Sequence, residues 1–236
     1  MNKKEEIIKE YQQEDFVEDF DKTRSESIFL QEKHRFETKL IQKAIKSIKK
    51  KEVQVLDVAC GTGRLLTEII KSPRVIYTGL DTSPAMIKKL KEKNKSNRVK
   101  LVLADAAKMP FPNETFDVTF TYHLLWHIPL EDQNKIIKEM IRVTKKGGLI
   151  VFDSLNKNFL LEKVRKLFGL KTDLEMYRVN YQKIKMMIYP LNFKTDKLLD
   201  APIKNKILFR ILNILNKFNK FLPSSLFHMI FFTIKK

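Results

Sequence analysis

VQVLDVACGTG, residues 53–63, is a short apolar run that ends in an acid and breaks into a glycine turn. The helix-like RLLTEIIK follows at once, so the segment reads as a strand, a turn and a helix. The same alternation continues outward. Val75 to Leu80 (VIYTGL) is a second strand. Asp81, Thr82, Ser83 and Pro84 then supply a cap and a first-turn proline for a helix through AMIKKLKEKN. Val99 to Leu103 is a third strand, and the loop at 110–113 separates it from a fourth, Phe116 to Thr121. EDQNKIIKEMIRVT is helical, Gly147-Gly148 is expected to end that helix, and Leu149 to Asp153 is a fifth strand. Strands alternating with helices predict an α/β fold with a parallel sheet covered on both faces. Ahead of it, Phe29, Phe36, Leu40, Ile41, Ile45 and Ile48 recur at helical spacing. Residues 1–52 are therefore expected to form an N-terminal helical cap, 53–155 the core, and 156–236 a C-terminal part that opens with the amphipathic LLEKVRKLFG.

Composition bounds the function classes. The 236 residues are 43% hydrophobic and 31% charged, which suits a globular chain with a sizeable core. The longest uncharged stretch, Phe221 to Ile234, has 14 residues and is too short to span a bilayer. The opening residues carry acids among lysines and resemble no signal peptide, so the expected location is cytoplasmic. One cysteine, Cys60, excludes an internal disulfide framework, and with only four scattered histidines no metal site is expected. The net charge of +18 sits mostly at the C-terminal end, where residues 156–236 hold 17 basic and 5 acidic side chains. That excess alone admits a rival reading, a basic protein that binds nucleic acid or a membrane surface without catalysis. The chain lacks the aromatic-basic interleaving of single-strand binders and any recognition-helix motif, so nucleic acid is disfavoured.

Glycine at the turn allows a sharp reversal and brings backbone amides close to a ligand. Asp81 ends the next strand, where an acid accepts hydrogen bonds from ribose hydroxyls, so a nucleotide-like ligand is expected at the carboxyl edge of the sheet. The dinucleotide fingerprint needs a third glycine where Leu66 stands, and no GxxxxGK[ST] loop is present, which disfavours NAD and nucleoside triphosphates. Asp57, four residues before Gly61, repels a pyrophosphate and tolerates a cation. S-adenosylmethionine fits, having a ribose, an ammonium, a sulfonium and no phosphate.

The order and spacing of VLDVACGTGRLL, GLDTSP, LADAAKMPFPNETFDVTF, YHLLWHIP and KKGGLIVFD resemble the class I S-adenosylmethionine-dependent methyltransferases, in the small-molecule branch related to the quinone-biosynthesis enzymes. The resemblance covers about residues 15–155. It implies a Rossmann-like, doubly wound, mostly parallel seven-stranded sheet with an antiparallel last strand. It places the methionine part of the cofactor on Ala59, Gly61 and Gly63, the ribose on Asp81 with Thr82 beside the adenine, and the adenine amino group on Asp105 with Ala106. Ala59 departs from the glycine usual there. FDKTR is similar to the family's opening segment, which puts Arg24 within reach of the methionine carboxylate.

Methyl transfer from a sulfonium is an in-line displacement that mainly needs donor and acceptor held in line. No fixed triad is expected; a base helps when the acceptor is a hydroxyl or phenol. Tyr122, His123 and His127 follow the fourth strand and are the candidate catalytic groups, with Trp126 a loop or pocket wall. Farther on, Tyr181 to Tyr189 reads as a helix stopped at Pro190, and strands near Lys194–Leu199 and Leu226–Ile234 complete the sheet. Between them Ile203 to Leu222 is a basic amphipathic helical insertion: Ile203, Ile207, Ile211, Ile214 and Phe218 share one face, and Lys206, Arg210, Lys217 and Lys220 the other. Three readings stand for it: a packed helix, a lid over an apolar acceptor, or a membrane-surface contact. The expected function is transfer of a methyl group from S-adenosylmethionine to a small or lipid-like acceptor.

Overall fold

In the computed structural model the described residues are Gln13, 28–158, 181–198, 227 and 229–236. Helix α1 (Ile28–Ser47) leads into β1 (Val53–Val58), α2 (Leu66–Ile69), β2 (Val75–Asp81), α3 (Pro84–Lys93), β3 (Val99–Leu103) and β4 (Phe116–Thr121). A 3₁₀ turn, Leu125–His127, is followed by α4 (Leu130–Val143), β5 (Thr144–Leu155), α5 (Tyr181–Ile188), β6 (Asn192–Leu198) and β7 (Met229–Lys235). The strands form one sheet in the order β3-β2-β1-β4-β5-β7-β6. β1 to β5 run parallel, and β7 lies antiparallel between β5 and β6. This is the doubly wound α/β sheet expected from the sequence. The strand order reverses between β1 and β4, and in such sheets the crevice outside that reversal is where ligands sit. Arg24, the segment LLEKVRKLFG and the insertion 203–222 lie outside the described residues. Among the described residues no helix is long and apolar enough to cross a membrane.

Side chains of successive strand residues point to opposite faces, so each strand divides its apolar residues between two cores. Val53 and Val55 of β1, Val75 and Tyr77 of β2, Val118 and Phe120 of β4, and Val151 and Leu155 of β5 pack on one face beneath Ile41, Ala44 and Ile45 of α1. Leu56, Val58, Ile150 and Phe152 point to the other face, against Ile136, Ile137 and Met140 of α4 and Ile184 and Ile188 of α5. Each fully buried aliphatic side chain of this kind contributes about 1.5–3 kcal/mol. Arginines close the helix ends. Arg74 donates to the carbonyls of Ile45, Ile48 and Lys50 at the end of α1, and Arg98 to those of Ile70, Ser72 and Val75 after α2.

Two local expectations change. The segment RLLTEIIK yields only the single turn Leu66–Ile69, because Arg64 and Leu65 are still part of the glycine turn and Ile70 already caps the helix through Leu66. Gly147-Gly148 does not end α4. Thr144 does so, its hydroxyl bonding the Met140 carbonyl at 2.6 Å and the Thr119 hydroxyl at 2.7 Å. The glycine pair instead lies inside β5, where the register against β4 shifts after Phe116. A Cβ on Gly148 would stand 2.8 Å from the Asp117 carbonyl.

Gly63 joins the turn to the core. Its φ is +79°, and a Cβ there would lie 2.2 Å from Cδ1 of Leu90, a buried α3 residue with no room to retreat. Gly63→Ala is therefore expected to lower stability by about 2–4 kcal/mol, as backbone strain adds to overpacking, measured by urea unfolding.

Candidate functional site

The carboxyl ends of β1, β2 and β3 converge on the glycine turn. Ala59, Gly61 and Gly63 all take positive φ, at 61°, 55° and 79°. This explains why the departure at Ala59 is tolerable yet costly: alanine reaches this conformation for about 1–2 kcal/mol, whereas glycine does so freely. Around Gly61 a Cβ would meet nothing within 4 Å, so the turn leaves open space there. Its amide donates to Asp81 Oδ2 at 2.8 Å, and Ser83 N donates to Oδ1 at 2.9 Å. Asp81 is thus locked at the end of β2, while Thr82 beside it is exposed and Ser83 caps α3. Burial raises the Asp81 carboxyl, with the amides of Ser83, Gly61 and Thr82 pulling it back. Leu103, which ends β3, is in register with Asp81, so Asp105 follows on the neighbouring strand end. Asp105 is exposed, accepts a hydrogen bond from Ala107 N at 2.8 Å, and stands beside the buried Ala106.

Asp57 lies beneath this turn. It continues the period-2 face of Val53 and Val55, so its carboxyl is only 5% exposed, and Tyr77 donates its hydroxyl to Oδ2 at 2.7 Å. Oδ1 has no hydrogen-bond partner among the described residues. Burial pushes the carboxyl up to about 7, with the Tyr77 hydrogen bond and Arg64 restraining it and Asp81 adding to it. Cys60, also buried, packs against Gly79, and burial with Asp57 and Asp81 raises its thiol well above the ordinary range. It is no nucleophile.

A second group forms where β4 and β5 end. His123 adopts φ +67°, which costs a non-glycine residue about 1–2 kcal/mol, and its amide is held by Asp153 Oδ1 at 2.9 Å. Glu37 reaches down from α1: Oε1 accepts His123 Nε2 at 2.6 Å, and Oε2 lies 2.6 Å from Arg64 Nη2, an ion pair without hydrogen-bond alignment. Arg64 also meets His34 Nδ1 at 2.8 Å. Lys33, a turn ahead of Glu37, stacks its ammonium over Trp126, whose Nε1 donates to Asp153. Burial pushes Glu37 up, but His123, Arg64 and Lys33 overcome it and hold the carboxylate well below its usual range. His123 is driven well below its own by burial, Lys33 and Arg64 against the pull of Glu37, so it is neutral and donates Nε2–H. Asp153 is pushed up to about 7 by burial, with Lys33, His123 N–H and Trp126 opposing and Glu37 adding.

The sequence candidates therefore separate. His123 joins the buried network. His127 stacks on Trp126 at 4.3 Å and is half-buried. Tyr122 is buried among Phe120 and Phe231, with its hydroxyl on the Glu37 carbonyl at 3.5 Å and raised well above its ordinary pKa by burial, Glu37 and Asp153. Glu37, Lys33, Arg64, Asp153 and Tyr77 were not singled out from sequence. The signal for Asp153 was the strand period in LIVFD, and for Lys33 and Glu37 the four-residue step onto Ile41 and Ile45. Glu37, His123 and Asp153 offer three ligand atoms within 4.8 Å of one another. Lys33 and Arg64 already supply two positive charges to this group, so its charges are balanced by side chains.

Residues 55–148 match the family model described as a methyltransferase domain. The chain is 36% identical over 138 residues to the sterol 4-C-methyltransferase of Caenorhabditis elegans, covering 52% of this chain and 40% of that one. It is 39% identical over 105 residues to the demethylmenaquinone methyltransferase of Staphylococcus aureus, 43% of each chain. The matched stretch thus spans less than half the length of these curated relatives. Its fold is similar to that of magnesium protoporphyrin IX methyltransferase from Synechocystis PCC 6803, solved with S-adenosylmethionine bound, with a TM-score of 0.65 over 100% of this chain and 98% of that one at 11% identity.

Glu37→Gln removes the charge that Arg64 faces in a buried setting and is expected to cost about 3–5 kcal/mol, measured by denaturant unfolding. Because the Glu37 pKa is depressed by folding, its contribution is fully present above the unfolded carboxylate range and is lost as pH falls. The gap between variant and wild type therefore narrows below about pH 4.

Proposed function

We propose that this chain, whose residues 55–148 match a methyltransferase-domain model, is a class I S-adenosylmethionine-dependent methyltransferase that moves a methyl group from S-adenosylmethionine to a small, lipid-like acceptor. The observation that carries the reading is the Asp57 carboxyl: it is buried under an open glycine turn, bonded only to Tyr77, with one oxygen unused among the described residues. Burial disfavours the charge of this carboxyl, and a cationic group at the turn relieves that cost where a phosphate would add to it. The residues present therefore fit the zwitterionic cofactor. When bound, that cofactor supplies a methyl group already activated on a sulfonium.

The chain's own residues bind and orient. The turn Ala59–Gly63 and Asp57 hold the methionine end. Asp81, fixed by two amides, keeps lone pairs for the ribose hydroxyls, and Thr82, Asp105 and Ala106 border the adenine. Arg24 is assigned to the methionine carboxylate. On the acceptor side, His123 is assigned as the base for an acceptor with a removable proton: it is neutral, and Glu37 beside it favours the imidazolium against the burial, Lys33 and Arg64 that oppose it. His127, on the Trp126 face, borders the same region, and the raised pKa of Tyr122 makes its hydroxyl a poor base at neutral pH. The names of the sterol and demethylmenaquinone methyltransferases support a small apolar acceptor, to which a lid or membrane contact at 203–222 would give access.

Calorimetric titration is expected to show micromolar binding of S-adenosylmethionine and S-adenosylhomocysteine. Asp81→Ala, which removes the ribose acceptor, is expected to weaken both about a hundredfold. Absence of binding by the folded protein overturns the reading.

A further inference from the structure

Tyr77 stands on β2, between β3 and β1, where the strand period calls for an apolar side chain like its neighbours Val75 and Val55 on the same face. It is fully buried, and its hydroxyl goes to Asp57 Oδ2 at 2.7 Å. A tyrosine at such a place buries a polar group that a phenylalanine would spare, so the hydroxyl needs a reason. Its partner carboxyl is the one with an unused oxygen beneath the turn. We infer that Tyr77 is a positioning residue: through its hydrogen bond it holds the Asp57 carboxyl ready to give up a proton when the cofactor's ammonium group arrives, so that cofactor binding and proton release are coupled.

The surroundings support a proton held there in the free protein. Tyr77 and Asp81 face Asp57 from β2, Cys60 from the turn, Arg64 from the segment ahead of α2, and Tyr122 from beyond β4. Of these only Arg64 is cationic, and its guanidinium is shared with Glu37 of α1 and with His34. Burial pushes Asp57 up to about 7 against that single charge. The balance is simple. The O–H bond of the neutral carboxyl breaks, its proton leaves for solvent, and the ammonium keeps all its own protons and pairs with the carboxylate. Tyr77 stays protonated throughout, since burial and Asp57 raise its hydroxyl well above the ordinary range. The sign follows: the carboxyl is neutral below about pH 7 and ionised above, so affinity for a cationic ligand climbs as pH rises toward 7 and then flattens.

The inference rests on the cofactor reading above, and the test separates the two. Titrations of the full chain with S-adenosylhomocysteine, run at pH 6 in buffers of different ionisation enthalpy, count protons directly. Release of most of one proton per ligand is expected, and none with 5′-methylthioadenosine, which lacks the ammonium. Tyr77→Phe removes a bond to the ionised form, so the climb in affinity moves to higher pH. The variant is expected to bind S-adenosylhomocysteine about tenfold more weakly at pH 7, with the gap closing at pH 8. Asp57→Asn, which has no proton to give, is expected to show neither release nor climb, and keeps the test alive if the tyrosine variant unfolds. Equal proton release with both ligands, or an unshifted profile in a folded Tyr77→Phe, overturns the inference while the cofactor reading stands. No binding of either ligand by the folded wild type overturns both.

Discussion

One face of this sheet changes character along its length, and the site follows from that change. Val53 and Val55, Val118 and Phe120, and Val151 are apolar where α1 covers them; one step farther along the same face stand Asp57, Tyr122 and Asp153. Because strand side chains alternate strictly, these ionisable groups cannot turn away to solvent without flipping the register of the whole strand. Helix α1 is built to match. Its stripe reads Lys33, Glu37, Ile41, Ile45, charged at one end and apolar at the other, so its lower half seals the core while its upper half meets the acids. Burying charges is expensive unless they compensate one another, and here Lys33 and Arg64 answer Glu37 and Asp153.

The two acids pushed up to about 7 occupy equivalent places on strands β1 and β5 but have different neighbours. Asp153 is engaged on both oxygens, by the His123 amide and by Trp126, and so serves mainly to hold the strained residue at the end of β4. Asp57 is engaged on one. That asymmetry divides the carboxyl edge into a half that keeps its own geometry and a half left open toward the turn, and the proposed reading puts donor binding and acceptor chemistry on opposite sides of the reversal between β1 and β4.

Much of the fold was legible because it is local. Alternation in VQVLDV and VIYTGL, the cap at Ser83 and the glycines of the turn act within a few residues, and the strands came out in the expected places. Where the reading missed, a distant partner decided. Gly147-Gly148 looks like a helix stop until Thr119, 25 residues earlier, supplies the bond that lets Thr144 end α4. The helix after the turn shrank to one turn because Arg64 and Leu65 still belong to the glycine turn and Ile70 already caps it, and Arg98, 26 and 28 residues on from Ser72 and Ile70, takes up the carbonyls left beyond that end. Glu37 and His123 are 86 residues apart, and nothing within either segment announces the other. Helical periodicity did find Ile41 and Ile45, but it ranks residues by apolarity and so passed over the charged members of the same stripe.

Cys60, the chain's one cysteine, is wedged between the turn and the backbone of Gly79, where a single added carbon would already crowd its sulfur at 2.9 Å. Shut in there with its thiol held protonated, it is inert to oxidants and alkylating reagents as long as the turn stays closed. Its modification is therefore a clock for the opening of this loop: with no other sulfhydryl to confuse the signal, the rate at which a maleimide attaches reports how often the loop lifts, and a ligand that clamps the loop slows that rate.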